Sequence, residues 1–370
     1  MKKVMVVDDS AIIRKLVCQT FAGRTDIETS SAPNGMIAIE KLPRIDPDLV
    51  ILDVEMPGLG GLETLEQLLK IKPRLRVIMF SSLTESGAGV SMDALARGAS
   101  DCVAKPTSKG SAQLGLEFLK QELLPKVESL LGIFKKIGLP SASTSPQKVV
   151  QQASNTPKES SQVNKDFSLS SKIYFPPGKF DILAIASSTG GPNALHAIFE
   201  ALPANLPVPV IGVQHMPPVF TKLLAERLSS KSPCKVHEAI PGESLEAGKF
   251  YLAPGDFHLE LVKNGEKIVV GLNQGPQENS CRPAADVLFR SVVKYYGNRT
   301  LGLVLTGMGQ DGLLGCKDLK QAGGYLVAQD EASSIVWGMP GAVAKAGLVD
   351  EILPLDKICG RLVELLSKRI

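Results

Sequence analysis

The chain has 370 residues, with 41 Lys and Arg against 38 Asp and Glu, a formal net charge of +3 and 44% apolar residues. Since a domain typically holds about 150 residues, this length predicts two or three domains, each large enough to bury its own core. The near balance of charge gives no basic surface that would indicate nucleic-acid binding, and the composition excludes collagen-like, disordered and disulfide-scaffold proteins.

The cysteines and the N-terminus indicate the compartment. No two of the six cysteines are closer than 35 positions, so there is no Cys-x-x-Cys pair, and we interpret them as reduced thiols. Four apolar residues, 4–7, precede two acids, which is too few for a signal peptide, and no apolar run approaches the roughly 18 residues that span a bilayer. We therefore expect a soluble, cytoplasmic protein without direct membrane insertion.

A Ser-rich segment divides the chain. Nine of the 31 residues from 141 to 171 are Ser, and such a segment cannot bury enough apolar surface to offset its ordering entropy. We predict an N-terminal domain at 1–125, a linker at 126–178 that is flexible from about 139, and a C-terminal domain at 179–370.

Short apolar runs alternate with longer amphipathic stretches in the N-terminal domain, which predicts a parallel sheet with helices on both faces. The predicted strands include Val4–Val7, Leu49–Leu52, Val77–Phe80 and Cys102–Ala104.

Polar side chains follow these strands at their carboxyl ends, where the chemically active groups of parallel sheets gather. They are Asp8 and Asp9 after the first strand, Asp53 after the third, Ser81 after the fourth and Lys105 after the fifth. Converging carboxylates favour a hard cation such as Mg²⁺, and a hydroxyl and an ammonium opposite them would hold a phosphoryl group. A single Asp could simply cap a helix, but five residues at strand ends favour a site.

The segment from Lys3 to Lys105, including the run Leu52–Pro57, resembles response-regulator receiver domains. The resemblance implies a flavodoxin-like doubly wound fold, phosphorylation on an aspartate and a histidine kinase as phosphodonor. It implies the following roles: Asp53 as phosphoacceptor, Asp8, Asp9, Asp53 and the Glu55 carbonyl as Mg²⁺ ligands, and Ser81 and Lys105 as phosphoryl contacts. Gly60-Gly61 replaces the usual Asp-Gly pair, and we expect a changed loop with unchanged chemistry.

The C-terminal domain also alternates short apolar runs with longer amphipathic stretches, and it adds a hairpin. Its predicted parallel strands include Ile182–Ala186, Val210–Gln214, Leu301–Thr306 and Tyr325–Ala328. Residues 258–270 alternate apolar and polar side chains around an Asn-Gly turn, which predicts an antiparallel hairpin. We therefore expect a second α/β parallel-sheet domain that carries this hairpin.

Residues 182–195 have the pattern strand, tight turn, helix, and place Ser188 in the turn. A Ser there is pushed out beside the unpaired N–H groups of a helix start, and Gly190 and Gly191 would let a substrate backbone approach closely. Ala186 stands where a nucleophile elbow usually has Gly. This turn could also bind phosphate, but the Gly-rich patterns known for phosphate binding are absent, so this alternative is the weaker one. Ser188 taken alone could also be an ordinary helix N-cap.

Two further strand ends supply a base and an orienting acid. His215 closes the second strand of this domain, and Asp311 follows a third in a Gly-rich segment. Each residue alone has an ordinary structural interpretation. Together, Ser188, His215 and Asp311 predict a catalytic triad whose chain order differs from those of the known hydrolase families.

Several motifs resemble the chemotaxis protein-glutamate methylesterases, and the resemblance covers nearly the whole chain except the linker. The motifs are 188–192, 214–217, 252–256, 282–289, 306–312, 328–334 and 338–340. The resemblance implies hydrolysis of γ-glutamyl methyl esters on chemoreceptors, and in many members deamidation of glutamines, with phosphorylation loosening the contact between domains. We expect the backbone N–H groups of Thr189 and Met308 to hold the oxyanion, and no cofactor for the esterase reaction.

Two other functions are alternatives. The chain could be a phosphorylation-gated receptor-binding module without hydrolase activity, although an intact triad argues against it. A DNA-binding output is weaker, because the C-terminal domain is too long, too strand-rich and too weakly basic for a helix-turn-helix unit.

Overall fold

The N-terminal domain is built on a five-stranded parallel sheet. A computed structural model describes residues 1–106, 111–133 and 180–367 of the chain. The strands run in the order β2-β1-β3-β4-β5, so the order reverses between β1 and β3. Their bounds are Lys2–Val7 (β1), Ile27–Ala32 (β2), Leu49–Asp53 (β3), Arg76–Ser81 (β4) and Asp101–Ala104 (β5). This topology confirms the predicted doubly wound α/β class, in which ligands bind at the carboxyl ends of the strands.

Six helices accompany this sheet. They are Ala11–Thr20 (α1), Gly35–Ile45 (α2), Gly61–Ile71 (α3), Glu85–Ala96 (α4), Ala112–Glu122 (α5) and Leu124–Leu131 (α6). Local sequence sets where several begin: Ser10 caps α1 by accepting from the Ile13 amide, and Asn34 caps α2 by accepting from the Ile37 amide.

The predicted linker starts inside this ordered region. Helix α6 packs into the N-terminal core through Val127 and Leu130, and Lys126 pairs with Asp101 at the start of β5. The ordered domain therefore extends past the predicted boundary at 125, because the apolar face of α6 has a core to bury against. Residues 134–178 of the predicted linker lie outside the described residues, so the remaining domain boundaries stay a prediction.

The C-terminal domain contains a seven-stranded parallel sheet in the order β14-β13-β12-β6-β7-β9-β8. The strands are Ile182–Ser187 (β6), Val210–Gln214 (β7), Lys235–Glu238 (β8), Lys249–Leu252 (β9), Thr300–Val304 (β12), Tyr325–Gln329 (β13) and Glu351–Leu353 (β14). The predicted hairpin is present as a separate two-stranded antiparallel sheet, His258–Asn264 (β10) and Lys267–Asn273 (β11).

Helices cover both faces of the larger sheet. They are Gly191–Ala201 (α7), Phe220–Lys231 (α8), Ala285–Tyr296 (α9), Leu313–Gln321 (α10), Met339–Lys345 (α11) and Leu355–Ser367 (α12), with a 3₁₀ turn at Gly297–Arg299. The central strands β6, β7, β12 and β13 are buried along their whole length, which accounts for their near-continuous apolar runs.

The two domains contact each other directly. Helix α4 of the first packs on α8 of the second, and one apolar cluster contains side chains from both. Ion pairs flank this contact: Asp93 lies 2.6 Å from Arg227, and Glu85 lies 3.3 Å from Lys222. Within the described ranges, no helix is both long enough and apolar enough to cross a membrane.

Candidate active site and phosphorylation site

Ser188 lies in the turn between β6 and α7, as predicted. Its amide donates to the Thr306 carbonyl at 3.1 Å, and its own carbonyl accepts from the Gly191 amide at 2.7 Å and from the Gln214 side chain at 2.9 Å. Only 4% of the residue is exposed. The backbone that carries this hydroxyl is therefore fixed from three sides.

The two glycines of this turn lie very close to other side chains of the protein. Gly190 has φ 78°, which favours glycine, and a Cβ there would lie 2.7 Å from Ile335. A Cβ on Gly191 would lie 1.9 Å from the Gln214 side chain. Both glycines thus allow close approach of the protein's own side chains, which lets α7 start tightly against β7.

His215 and Asp311 come together at the carboxyl edge of the sheet. The ring Nε2 of His215 lies 2.8 Å from Asp311 Oδ2. Burial alone would lower the pKa of His215, but Cys281 and Asp311 outweigh it, and the pKa is raised. The other histidines have partners elsewhere: His196 near Glu200, His237 with Glu243, and His258 with the Pro276 carbonyl and the Ala284 amide.

Asp311 is a fully engaged acceptor. Its Oδ1 accepts from the Asn279 side chain and from the amides of Asp286 and Gly312, and its Oδ2 accepts from the Ala285 amide as well as from His215. Burial would raise the pKa of Asp311, but these donors outweigh it and hold the pKa below its ordinary value. The carboxylate is therefore ionised and fixed, as a group that orients a base must be.

The bond to Asp311 decides which imidazole nitrogen is available as a base. Because Nε2 donates to the carboxylate, the neutral ring keeps its lone pair on Nδ1. That nitrogen lies 3.7 Å from Cys281 Sγ. Among the described residues no hydrogen bond joins the Ser188 hydroxyl to the ring, so one of the two side chains must move before proton transfer.

Two amides near Ser188 are free to bind an oxyanion. The N–H groups of Thr189 and Met308 have no acceptor within the parts of the chain that the structure describes. Thr189 follows Ser188 directly, and Met308 follows Gly307, where a Cβ would lie 2.8 Å from Ser188 Cβ. Both lie beside the predicted nucleophile, and their role in catalysis remains a prediction.

The N-terminal domain brings the predicted acidic residues together. Oxygens of Asp8, Asp9 and Asp53 lie within 4.8 Å of one another, and Lys105 Nζ is 2.8 Å from Asp53 and 3.0 Å from Asp8. Burial raises the pKa of Asp53, Lys105 opposes the rise, and Asp8 adds to it, so the pKa reaches about 6. Oδ2 of Asp53 is buried and has no hydrogen-bond donor among the described residues, which is typical of an oxygen that binds a cation or carries a phosphoryl group.

Ser81 and Glu55 lie at the same edge with other partners. Ser81 ends β4, is fully buried and accepts a hydrogen bond from Ser91 of α4 at 2.9 Å. The Glu55 amide donates to Asp53 at 3.1 Å, while the Glu55 carboxylate lies 3.3 Å from the Ser82 hydroxyl. A phosphoryl group on Asp53 would offer the Ser81 hydroxyl a charged acceptor in competition with its contact to Ser91.

The first domain covers the Ser188 turn. Thr189 Oγ1 donates to Asp101 Oδ2 of β5 at 2.7 Å, and both residues are buried. Met308 and Val336 of the second domain pack into the apolar core of the first. The residues beside the predicted nucleophile are thus held by the N-terminal domain.

Sequence reasoning missed several residues of the site. Gln214 belongs to the motif at 214–217, and its side chain accepts from Ser187 and thereby ties β7 to the turn. Asn279 and Cys281 come from a loop without any recognisable pattern. Asp101 is an ordinary acid at a strand start, and only the packing of the two domains reveals its contact.

Comparisons with known proteins agree with this architecture. A family model described as CheB methylesterase matches residues 183–362, and one described as response regulator receiver domain matches residues 4–113. The chain is 44% identical over 362 residues to a protein-glutamate methylesterase/protein-glutamine glutaminase of Trichodesmium erythraeum, covering 98% of both chains. It is 42% identical over 375 residues to a relative of the same description from Paramagnetospirillum magneticum, covering 99% of this chain and 97% of that one.

A solved structure, the CheB methylesterase catalytic domain of Thermotoga maritima, is similar over 51% of this chain and 100% of its own length, with 43% identity and a TM-score of 0.49. The identity to the two full-length relatives decides the family. With a receiver domain followed by a methylesterase domain, the chain belongs to the protein-glutamate methylesterase/protein-glutamine glutaminase family.

Proposed function

We propose that this protein hydrolyses γ-glutamyl methyl esters on the cytoplasmic part of methyl-accepting chemoreceptors, and deamidates receptor glutamines, under control of phosphorylation at Asp53. The observation that carries the proposal is the His215–Asp311 pair beside Ser188, at strand ends of a domain of this family. A histidine kinase of the same pathway supplies the phosphoryl group.

In the esterase reaction, His215 Nδ1 takes the Ser188 proton as the hydroxyl oxygen attacks the ester carbonyl. Asp311 holds Nε2 and stabilises the imidazolium. The amides of Thr189 and Met308 bind the oxyanion, and loss of one such donor typically costs about 3 kcal/mol in barrier. The imidazolium then protonates the methoxide leaving group, which departs as methanol, and water activated by His215 hydrolyses the glutamyl ester of Ser188.

A glutamine side chain has the same carbonyl and a similar shape. The same attack on its amide therefore expels ammonia instead of methanol, after protonation of the nitrogen by His215. Both substrates give the same glutamyl-enzyme and the same glutamate product.

The receiver carboxylates fit Mg²⁺, which neutralises charge on the incoming phosphoryl group when it is bound. Their oxygens cluster within 4.8 Å, and one oxygen of Asp53 has no donor among the described residues. Asp8, Asp9, Asp53 and the Glu55 carbonyl would hold the cation. Lys105 already contacts Asp53 and would pair with a phosphoryl oxygen.

Phosphorylation reaches the active site through the contact between domains. A phosphoryl group on Asp53 attracts the Ser81 hydroxyl away from Ser91, which lies in α4. Helix α4 also carries Asp93, the partner of Arg227 in the catalytic domain. A shift of α4 therefore weakens this interface and releases Thr189 from Asp101.

The test is release of methanol from methylated chemoreceptor membranes, and of ammonia from receptors that carry glutamine, with and without a small-molecule phosphodonor. We expect the phosphodonor to accelerate both reactions for the natural protein and to have no effect on Asp53→Asn. Equal rates with and without phosphodonor would refute the control by phosphorylation, and no release in any condition would favour a receptor-binding module without hydrolase activity.

A further inference from the structure

Cys281 lies against His215, and the esterase mechanism gives it no role. Its Sγ is 3.7 Å from His215 Nδ1 and 3.4 Å from the Asn279 carbonyl oxygen. Cys281 is partly exposed, and the His215 side chain keeps 12% of its surface accessible to solvent. A sulfur donor therefore faces the ring nitrogen that must act as the base.

The imidazole is already oriented as a metal ligand. Asp311 accepts from Nε2 at 2.8 Å, so the lone pair of the neutral ring is on Nδ1, toward the thiol. Metal-bound histidines commonly donate their second N–H to a carboxylate in this way, which fixes the tautomer and makes the ring a better ligand.

The separation of the two donor atoms also fits one cation. Zinc binds sulfur at about 2.3 Å and imidazole nitrogen at about 2.0 Å, so a tetrahedral ion holds these atoms about 3.5 Å apart. The observed separation is 3.7 Å, and side-chain torsions alone can close the difference. A nitrogen and a thiolate favour Zn²⁺ over Mg²⁺, whereas the receiver cluster offers only oxygens.

We propose that His215 Nδ1 and Cys281 Sγ form a Zn²⁺ site that reversibly inhibits the esterase. Zinc binding releases to solvent the protons that Cys281 Sγ and His215 Nδ1 carry, and forms bonds from the ion to sulfur and nitrogen, with water in its remaining positions. The Nδ1 lone pair is then no longer available to take the Ser188 proton. The inhibition rests on the proposed function, whereas the binding of zinc does not.

Binding is measured first, without any activity assay. The full-length protein in excess Mg²⁺, which saturates the receiver cluster, is titrated with Co²⁺ as a spectroscopic probe and then with Zn²⁺. We expect a thiolate-to-cobalt charge-transfer band that Zn²⁺ displaces, and protection of Cys281 from alkylation as read by peptide mass spectrometry. Cys281→Ser should lose the band, and Cys18→Ser, which removes a half-buried thiol of the receiver, should keep it.

Inhibition is measured next, with each variant compared with its own rate in chelator. A protein molecule that holds zinc has no base for Ser188. At a free Zn²⁺ concentration ten times the dissociation constant, about one molecule in eleven is without zinc, so methanol release should fall approximately elevenfold, and chelator should reverse the fall. Cys281→Ser should need at least about 10-fold more zinc for the same fall. Absence of the band and of thiol protection would overturn the site, as would equal inhibition of Cys281→Ser and the natural protein. A protein that binds zinc through Cys281 but releases no methanol would leave the site standing and count against the esterase function instead.

Discussion

Replacing Asp311 with Asn tests how the acid orients the base. Three donors meet at Oδ1, from Asn279, Asp286 and Gly312, so the single carbonyl oxygen of Asn is best placed there. The new NH₂ group then occupies the position of Oδ2, where it faces the His215 ring.

That NH₂ group forces the wrong tautomer. It can only donate to Nε2, which moves the ring proton to Nδ1 and removes the lone pair that would accept the Ser188 proton. The equivalent change in a serine protease lowers the rate about 10⁴-fold, and at 1.36 kcal/mol for each factor of ten this corresponds to about 5 kcal/mol in barrier. The NH₂ group also meets the Ala285 amide, which donates to Oδ2 at 2.6 Å, so we expect a loss of about 1 to 3 kcal/mol in the free energy of unfolding.

The assay compares methanol release at saturating methylated receptor with urea unfolding followed by circular dichroism. Asp286→Asn is the matched control, because this buried carboxylate binds the Gly315 amide and the Asn279 side chain but not His215. Asp286→Asn should lose comparable stability and far less activity. A rate for Asp311→Asn within tenfold of the natural protein would refute the orienting role of the carboxylate.

Two further predictions concern the receiver. Asp93→Asn removes the ion pair with Arg227 and should raise methanol release without phosphodonor by up to about fivefold, since an exposed pair contributes about 0.2 to 1 kcal/mol. The control is Glu66→Gln, which breaks an ion pair with Arg97 inside the receiver and should not change the rate. An equal rise in both variants would contradict the role of the Asp93–Arg227 pair in holding the domains together. The pKa of Asp53 is about 6 in the folded protein, whereas its ordinary value is 3.8, so protonation of Asp53 favours the folded state. The resulting gain in the free energy of unfolding appears as the pH falls through 6 and is absent above it. In urea unfolding without Mg²⁺, the natural protein should therefore gain about 2 kcal/mol relative to Asp53→Asn between pH 8 and pH 4, and parallel curves for the two proteins would contradict the shift.

The parallel sheets were predictable because their strands are buried on both faces and give nearly continuous apolar runs. Strand β7 matches its predicted range, Val210–Gln214, and the Asn-Gly turn of the β10–β11 hairpin was equally recognisable. The edge strands β8 and β14 were not predicted, because both are short and only partly apolar. Residues that follow central strands could be placed at one edge of each sheet because parallel strands end together there.

Contacts between distant segments could not be predicted from local patterns. Thr189 and Asp101 are 88 positions apart and belong to different domains, so their hydrogen bond depends on how the domains pack. Cys281 reaches His215 from a loop, and the choice of Nε2 as the nitrogen that binds Asp311 is a matter of ring orientation. No periodicity or motif carries this information.

Methanol release by Ser188→Ala from methylated receptors, in the presence of phosphodonor, shows whether Ser188 is the nucleophile. Ser187→Ala is the matched control, because this neighbouring hydroxyl is fully buried and binds Gln214. We predict that Ser188→Ala loses nearly all activity while remaining folded and phosphorylated at Asp53, and that Ser187→Ala retains most of it. Substantial release by Ser188→Ala would contradict the account and would assign the attack on the ester to another residue, with Ser187 and Thr189 the first to test.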